Sequence, residues 1–395
     1  MGVRIVHTAD VHLGARHADL GDKAAAQRER QFAAFKATVD LAIEVEADLF
    51  LVAGDLFDSN VQPRRSVERV AAELARLASR RIRSVLLPGT HDVCDRASIY
   101  RAYDLAELAG LDAGSAGLLT VLTPERSEVH FPELETVVFG RLFPTKRAPR
   151  SPLAGFDAAG AAETWKVGMI HGSLLIPGRT DADEVVFTAD EVAASGLDYL
   201  ALGHWHSGQV AKSGSVTYAY AGAPEPVAVD QDRAGSALVV TLTLVDGVRH
   251  VDVEQRTVGR TRFVRADVDA ATVGSQAALV ERIAAQADPD VVMDARLVGV
   301  RPADLDVDAD EVGRALAPSF LSIRFRDRTL APLPEADEVP GPETILGSLV
   351  RDVEAQIAEA EAAAPSDPSR QDEASELRDA LLIARHLLIG SEITL

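Results

Sequence analysis

Cysteine is almost missing from this chain of 395 residues: the single Cys94 excludes an internal disulfide framework and fits a reducing compartment. No apolar run approaches the roughly 18 residues of a membrane span. The N-terminus enters a strand-like segment without the basic region and apolar core of a secretory signal. These absences lead to the expectation of a cytoplasmic protein that engages no membrane. Lysine is scarce, confined to Lys23, Lys36, Lys146, Lys166 and Lys212, and the formal net charge is −21. Non-specific affinity for nucleic acid comes mostly from lysine and arginine on phosphates, so a globally basic binding surface is excluded. Any such ligand has to be held by local clusters. The candidates are Arg28, Arg30 and Lys36, then Arg64 and Arg65, then Arg141, Lys146, Arg147 and Arg150.

What is present is more informative. Five short segments each follow a strand-like apolar run and carry residues that ligate metals: Asp10-Val11-His12, Gly54-Asp55-Leu56-Phe57-Asp58, Gly89-Thr90-His91-Asp92, His171-Gly172 and Gly203-His204-Trp205-His206. In extended backbone, residues two apart point to the same side, so Asp10 with His12, and His204 with His206, are expected to aim two donors at one pocket. In open α/β sheets, sites collect beyond the carboxyl ends of the strands. Each piece alone is weak, since Gly-Asp is a common turn dipeptide. Their repeated context is what reads as a two-metal phosphoesterase site. Imidazole together with carboxylate suits manganese, zinc or iron more than a calcium or magnesium site, which would be richer in oxygen. Paired metals need a shared carboxylate, and Asp55 is the natural bridge.

In these motifs the chain resembles the calcineurin-like metallophosphoesterases. Three longer stretches, Thr8 to Gly14, Ala53 to Asp58 and Tyr220 to Pro226, resemble the SbcD branch of DNA-repair nucleases. The resemblance covers about the first 250 residues. It implies one metal held by Asp10, His12, Asp55 and His206, and a second held by Asp55, His171, His204 and the residue at position 90. It also implies that His91 is the catalytic histidine assisting the leaving group, with Asp92 orienting its ring. The family usually places asparagine at position 90, where this chain has Thr90. A hydroxyl on a shorter, β-branched side chain leads to the expectation of a weaker second metal, with threonine serving there without penalty as the equal alternative.

The fold expected from the alternation of strands and helices is α/β, and the resemblance makes it a four-layer α/β/β/α metallophosphoesterase sandwich over residues 1–255. A small α/β domain of βαβαβ order follows at 260–330. It resembles a capping domain that positions DNA. Residues 343–391 read as a C-terminal helical pair with apolar stripes at Leu346, Leu349, Val350, Val353 and Ile357, and at Leu377, Leu381, Ala384 and Leu388. In the resembled family such a pair docks on an SbcC-type coiled-coil ATPase. Packing against its own catalytic domain is the equal alternative. Cys94, although next to the His91 loop, is expected to be a small buried filler. His7, His17, His130, His250 and His386 match no motif.

The expected function is therefore a DNA phosphodiesterase dependent on two divalent metals, manganese first, with magnesium, iron or zinc as alternatives. The expected partners are DNA, an SbcC-type ATPase subunit and a second copy as a homodimer. Arg64, Arg65, Lys146 and Arg147 are the candidate DNA contacts. Two other readings keep the metal site: a phosphoesterase for a nucleotide or other small phosphoester, which the acidic charge favours, and a slow scaffold that tethers DNA ends for an ATPase.

Overall fold

Periodicity changes along the chain in step with its elements. Short apolar runs and longer amphipathic ones alternate as β1 (Gly2–Thr8), α1 (Ala24–Glu44), β2 (Leu49–Ala53), α2 (Arg64–Ser79) and β3 (Arg83–Leu87). Two single-turn helices, α3 (Ile99–Ala102) and α4 (Leu105–Leu108), precede β4 (Leu119–Val121). Next come β5 (Glu128–Phe131), β6 (Thr136–Arg141), β7 (Trp165–His171), the short pair β8 (Ser173–Leu174) and β9 (Val186–Phe187), and α5 (Ala189–Ala194). The first unit ends with β10 (Tyr199–Gly203), β11 (Gln209–Ser213), β12 (Val216–Tyr220) and the hairpin of β13 (Ser236–Val245) and β14 (Val248–Thr257). Its turn, Asp246-Gly247, has both φ angles positive, at 52° and 81°, as a two-residue hairpin turn requires. This computed structural model describes residues 2–148, 150–178, 180, 185–226, 231, 233–302, 304–330, 341 and 343–363, with single positions between 370 and 384.

Two six-stranded sheets result, ordered β14-β13-β1-β2-β3-β4 and β11-β12-β10-β7-β6-β5. In the first, β1 to β4 run parallel and β13 and β14 join antiparallel at one side; in the second, the four central strands run parallel and both edge strands, β11 and β5, are antiparallel. Alternation along these strands sorts their side chains into separate cores. Val6, Phe50, Val52 and Leu86 face Phe35 and Val39 of α1 and Val70 and Leu74 of α2. Their neighbours Ile5, Leu49, Leu51 and Val85 meet Val167, Met169, Tyr199 and Ala201 of the other sheet. On the far side of that sheet, Ile170, Leu200 and Leu202 pack with Val192 and Leu197. Three cores separate four layers, the α/β/β/α sandwich. Strands buried on both faces read as continuous apolar runs, which is why the sequence showed them so plainly.

Contact density divides the chain into one unit of Met1–Val264 with Asp290–Val292 and another of Arg265–Pro289 with Met293–Leu395. In the second, β15 (Arg262–Asp269), α6 (Gln276–Ala284), β16 (Asp288–Val298), α7 (Ala309–Leu316) and β17 (Phe320–Asp327) follow a βαβαβ order, the sheet running β15-β16-β17. Asp308, in the acidic run before α7, accepts the Glu311 N–H at 2.9 Å as a helix N-cap. Helix α8 (Ile345–Ala363) keeps Leu346, Leu349, Val350, Val353, Ile357 and Ala360 on its less exposed face. Of the second predicted stripe, Leu388 lies outside the described residues, as do Pro365 to Ser369, the run 331–340 and His386. Among the described residues no helix is long and apolar enough to cross a membrane.

Candidate metal centre

The register of the sheets brings the five motifs to one edge. Thr8 pairs with Val52, Ala53 with Leu87, and His171 with Gly203, so the loops after β1, β2, β3, β7 and β10 leave the sheets together. The loops after β1 and β2 keep bonding beyond the strands: Asp10 N–H to Gly54 O, His12 N–H to Asp55 O and Leu13 N–H to Leu56 O, each 3.0 Å. The extended presentation expected for the ligand pairs is not how they are held. Asp10, His12, Asp55 and His204 all have positive φ, at 54°, 50°, 52° and 101°. Left-handed backbone in a residue with a Cβ costs roughly 1–3 kcal/mol, and Asp and His are among the side chains that tolerate it best. Two glycines are required by close approach: a Cβ on Gly54 would stand 2.1 Å from His171 Nδ1, and one on Gly89 would stand 2.2 Å from Asp55 Oδ1.

The donors converge in three overlapping groups: Asp10 with His12 and His206, Asp10 with Asp55 and His171, and, towards the rim, His12 with Asp58 and His91. Asp55 Oδ2 lies between the first two, 3.0 Å from His171 Nε2 and 3.9 Å from His12 Nε2. His12 Nε2 and His206 Nε2 face one another at 3.1 Å. The ring of His204 stands edge-on to that of His171, with centroids 5.3 Å apart, and the His204 N–H donates to Asp10 at 3.0 Å. Thr90 Oγ1 reaches Asp55 Oδ2 at 3.4 Å. Tautomers follow from the outer partners. His171 Nδ1 donates to Ala53 O at 3.0 Å, leaving Nε2 buried beside Asp55 without the alignment of a hydrogen bond. His12 Nδ1 lies 3.4 Å from Asp58 Oδ1, which directs its Nε2 inward. Fixing one imidazole nitrogen so that the other is free is how metal-ligating histidines are commonly held.

The charge balance fits a cation as well. Burial first, and then the nearby Asp55 charge, raise the Asp10 carboxyl to about 6. Burial would raise Asp55 too, but the His171 and His12 imidazoles hold it well below the usual carboxylate range. In return, despite burial, Asp55 and Asp10 raise His171 to about 10, and Asp58 and Asp55 raise His12. His206 is lowered to about 3 by burial and then by the charge on His12. Protons drawn onto two imidazoles thus offset the buried carboxylates. A divalent ion among the same atoms would take over that charge.

The remaining predicted residues divide. The exposed His91 ring is edge-on to His12 with centroids 4.7 Å apart, at the rim of the centre. Its expected orientation by Asp92 is not what the structure holds. Its Nδ1 donates to the Asp58 carbonyl at 3.0 Å and lies 3.7 Å from the Asp58 carboxylate. Asp92 is fully buried and accepts from Gly89 N–H, Phe57 N–H and the Tyr100 hydroxyl at 2.7, 3.1 and 2.6 Å, tying two motif loops together. Asp58 carries the contact assigned to Asp92, and its place three residues after Asp55 was the available signal. Gln231, 2.5 Å from His206 Nδ1, had no signal in the sequence. Arg64 and Arg65 open α2, and Arg64 is paired with Glu68 at 2.8 Å. Lys146 and Arg147 are exposed on the turn after β6, and Cys94 is buried.

Comparison with known proteins agrees with this geometry. A family model described as calcineurin-like phosphoesterase matches residues 3–208. The chain is 29% identical over 249 residues to the DNA double-strand break repair protein Mre11 of Aeropyrum pernix, covering 61% of this chain and 58% of that one. It is 25% identical to the protein of that name from Methanosarcina mazei, covering 66% of this chain and 39% of that one. Similarity to the uncharacterized metallophosphoesterase YhaO of Bacillus subtilis is 27%, over 52% of this chain and 49% of its counterpart. The chain spans about half the length of the curated relatives it matches.

Proposed function

We propose, because the chain belongs to the calcineurin-like phosphoesterase family, that it is a metal-dependent DNA phosphodiesterase acting on DNA ends in repair, with SbcD-like exonuclease and endonuclease action. The observation that carries this reading is the set of donor groups that overlap at Asp10, with Asp55 Oδ2 3.0 Å from His171 Nε2, in a chain similar to proteins named for double-strand break repair. Asp10, His12, Asp55 and His206 would hold one divalent ion. Asp55, His171, His204 and Thr90 would hold the other, manganese being the first choice for imidazole and carboxylate donors. When bound, the ions supply Lewis-acid stabilisation of charge on the phosphoryl oxygens.

The side chains then have separate tasks. Asp58 fixes the rings of His12 and His91. With Nδ1 engaged, His91 turns Nε2 outward, where it can give a proton to the leaving oxygen of the scissile phosphate. The βαβαβ unit would act as a capping domain over residues 260–330, and the C-terminal helices over 343–391 as the dock for an SbcC-type ATPase. Arg64, Arg65, Lys146 and Arg147 would contact DNA, and the protein would act in the cytoplasm, as a homodimer. A second reading, a nucleotide or other small phosphoester as substrate, is favoured by the net charge of −21.

Purified protein with manganese, given end-labelled single- and double-stranded oligonucleotides beside p-nitrophenyl phosphate, separates the two. Cleavage of the oligonucleotides is the expected result. Turnover of the monoester alone would replace DNA by a small substrate, and DNA-end binding without turnover of either would leave a scaffold.

A further inference from the structure

The end of β6 holds a second polar site, formed by two arginines that no acid answers. Many arginines of this acidic chain meet carboxylates, as Arg69 does Glu29, Arg101 does Glu125 and Arg296 does Asp267. Among the described residues no carboxylate pairs with Arg141 or Arg150. Arg141 is partly buried, its Nε donating to Pro152 O at 2.8 Å and its guanidinium lying 4.9 Å from the centre of the Phe156 ring. Burial and then the charge of Arg150 lower its pKa from the ordinary guanidinium value. The two arginines line a cavity of about 200 Å³ together with Ser127, Phe143 and Ser151. The cleft beside Thr90 and His171 is lined by the same Arg141 and Phe143, so the cavity adjoins the metal centre.

Two guanidinium groups lining one cavity, Arg141 partly buried and Arg150 exposed, repel each other unless an anion lies between them. Their planar forks match phosphate oxygens, and the serines add hydroxyl donors. We propose that this cavity binds a phosphate group of the substrate next to the one being hydrolysed. The proposal rests on the phosphodiesterase reading and moves the specific contact away from Lys146 and Arg147, which line neither the cleft nor the cavity.

The test compares the full-length protein with its Arg150→Gln and Arg141→Gln variants, using manganese and four substrates: bis(p-nitrophenyl) phosphate, TpT, pTpT and TpTp. Wild type is expected to show a KM about tenfold lower for one of the substrates with an added terminal phosphate than for TpT, as charge-assisted hydrogen bonds to a second phosphate would give. Both variants should remove that preference, and Arg150→Gln, at a residue that does not line the cleft beside Thr90 and His171, should leave kcat and all constants for the one-phosphate substrates within about twofold of wild type. An equal preference in variants and wild type, or an equal loss on bis(p-nitrophenyl) phosphate, overturns the site. If no substrate is cleaved, the phosphodiesterase reading fails, and inorganic phosphate titrated into each protein and followed by phosphorus NMR judges the cavity separately. Binding weakened in Arg150→Gln supports it, and binding equal in the two proteins overturns it. Lys212→Gln, a change on the edge strand β11, is the control for a general charge effect.

Discussion

Asp294 in the second unit and Asp55 in the first are both nearly buried, at 3% and 2% exposure, yet their charges are met in opposite ways. Asp294 receives two guanidinium groups, from Arg265 at 3.3 Å and Arg326 at 2.5 Å, and its neighbour Asp267 is gripped by Arg296 at 2.6 Å. Asp55 has only imidazoles, a backbone N–H and a threonine hydroxyl around it. A permanent cation built into the protein satisfies a carboxylate and finishes the matter. Histidines hold charge on loan, because they release protons when another cation arrives. An acidic core whose carboxylates pair, among the described residues, with histidines and not with arginine is thus a place prepared for a metal. The arginine-laced sheet is a place prepared to stay folded.

Exchange of the two carboxylates for amides is the strongest way to break this contrast. Asp55→Asn is expected to lower kcat for phosphodiester hydrolysis by at least about a thousandfold, since a bridging donor is lost. Asp294→Asn should leave kcat and metal affinity unchanged and cost about 1–2 kcal/mol in urea unfolding, with both arginine partners partly solvated. Equal losses of activity in the two variants would end the distinction.

The pH dependence of metal binding sharpens it. His171, raised to about 10, carries a proton at neutral pH that a metal has to displace, and His12, raised above its ordinary value, gives up its proton less readily than a free imidazole. Affinity should therefore rise with pH through the neutral range, by about tenfold per unit for each proton released. Calorimetry in buffers of different ionisation heat counts those protons, and an affinity flat with pH would show that the rings bind no proton the metal must replace.

Smaller changes act through the outer partners. Asp58→Asn, which weakens the side-chain hold on His12 and leaves the main-chain carbonyl on His91 in place, should reduce metal affinity by about 10–100-fold. The drop should appear in metal titrations as well as in kcat, whereas unchanged metal affinity would show that the Asp58 carboxylate does not hold His12 for the metal. Thr90→Asn is expected to have the least effect, tightening the second metal by about tenfold or less, because an amide oxygen reaches further than a hydroxyl already 3.4 Å from Asp55. Equal affinities in manganese titrations would remove the idea of a weak second site.

The places where the sequence was legible share a physical cause. Parallel strands buried on both faces are continuous apolar runs, so Leu49 to Val52 and Leu200 to Leu202 marked the sheets, and the polar residues just beyond them had to be at the exit edge. Backbone conformation was not legible. Nothing in Asp10-Val11-His12 announces left-handed φ at both ends, and alternation gave the right convergence for the wrong reason. Side-chain partnership was half legible: Asp92 adjoins His91 in the sequence and Asp58 is 33 residues from it, and only the three-dimensional turn decides that Asp92 serves Tyr100 and the backbone instead. Gln231 reaches the centre from a segment with no pattern at all.

The left-handed angles at Asp10, His12 and Asp55 also govern what evolution or a library can do here. Each position filters substitutions twice, once by chemistry and once by backbone shape, and few side chains pass both filters. Asparagine passes the second and fails the first, because it tolerates positive φ but brings no charge. Asp→Asn is therefore the replacement that removes the ligand while sparing the loop. Valine or isoleucine at the same places would report chiefly on a broken turn.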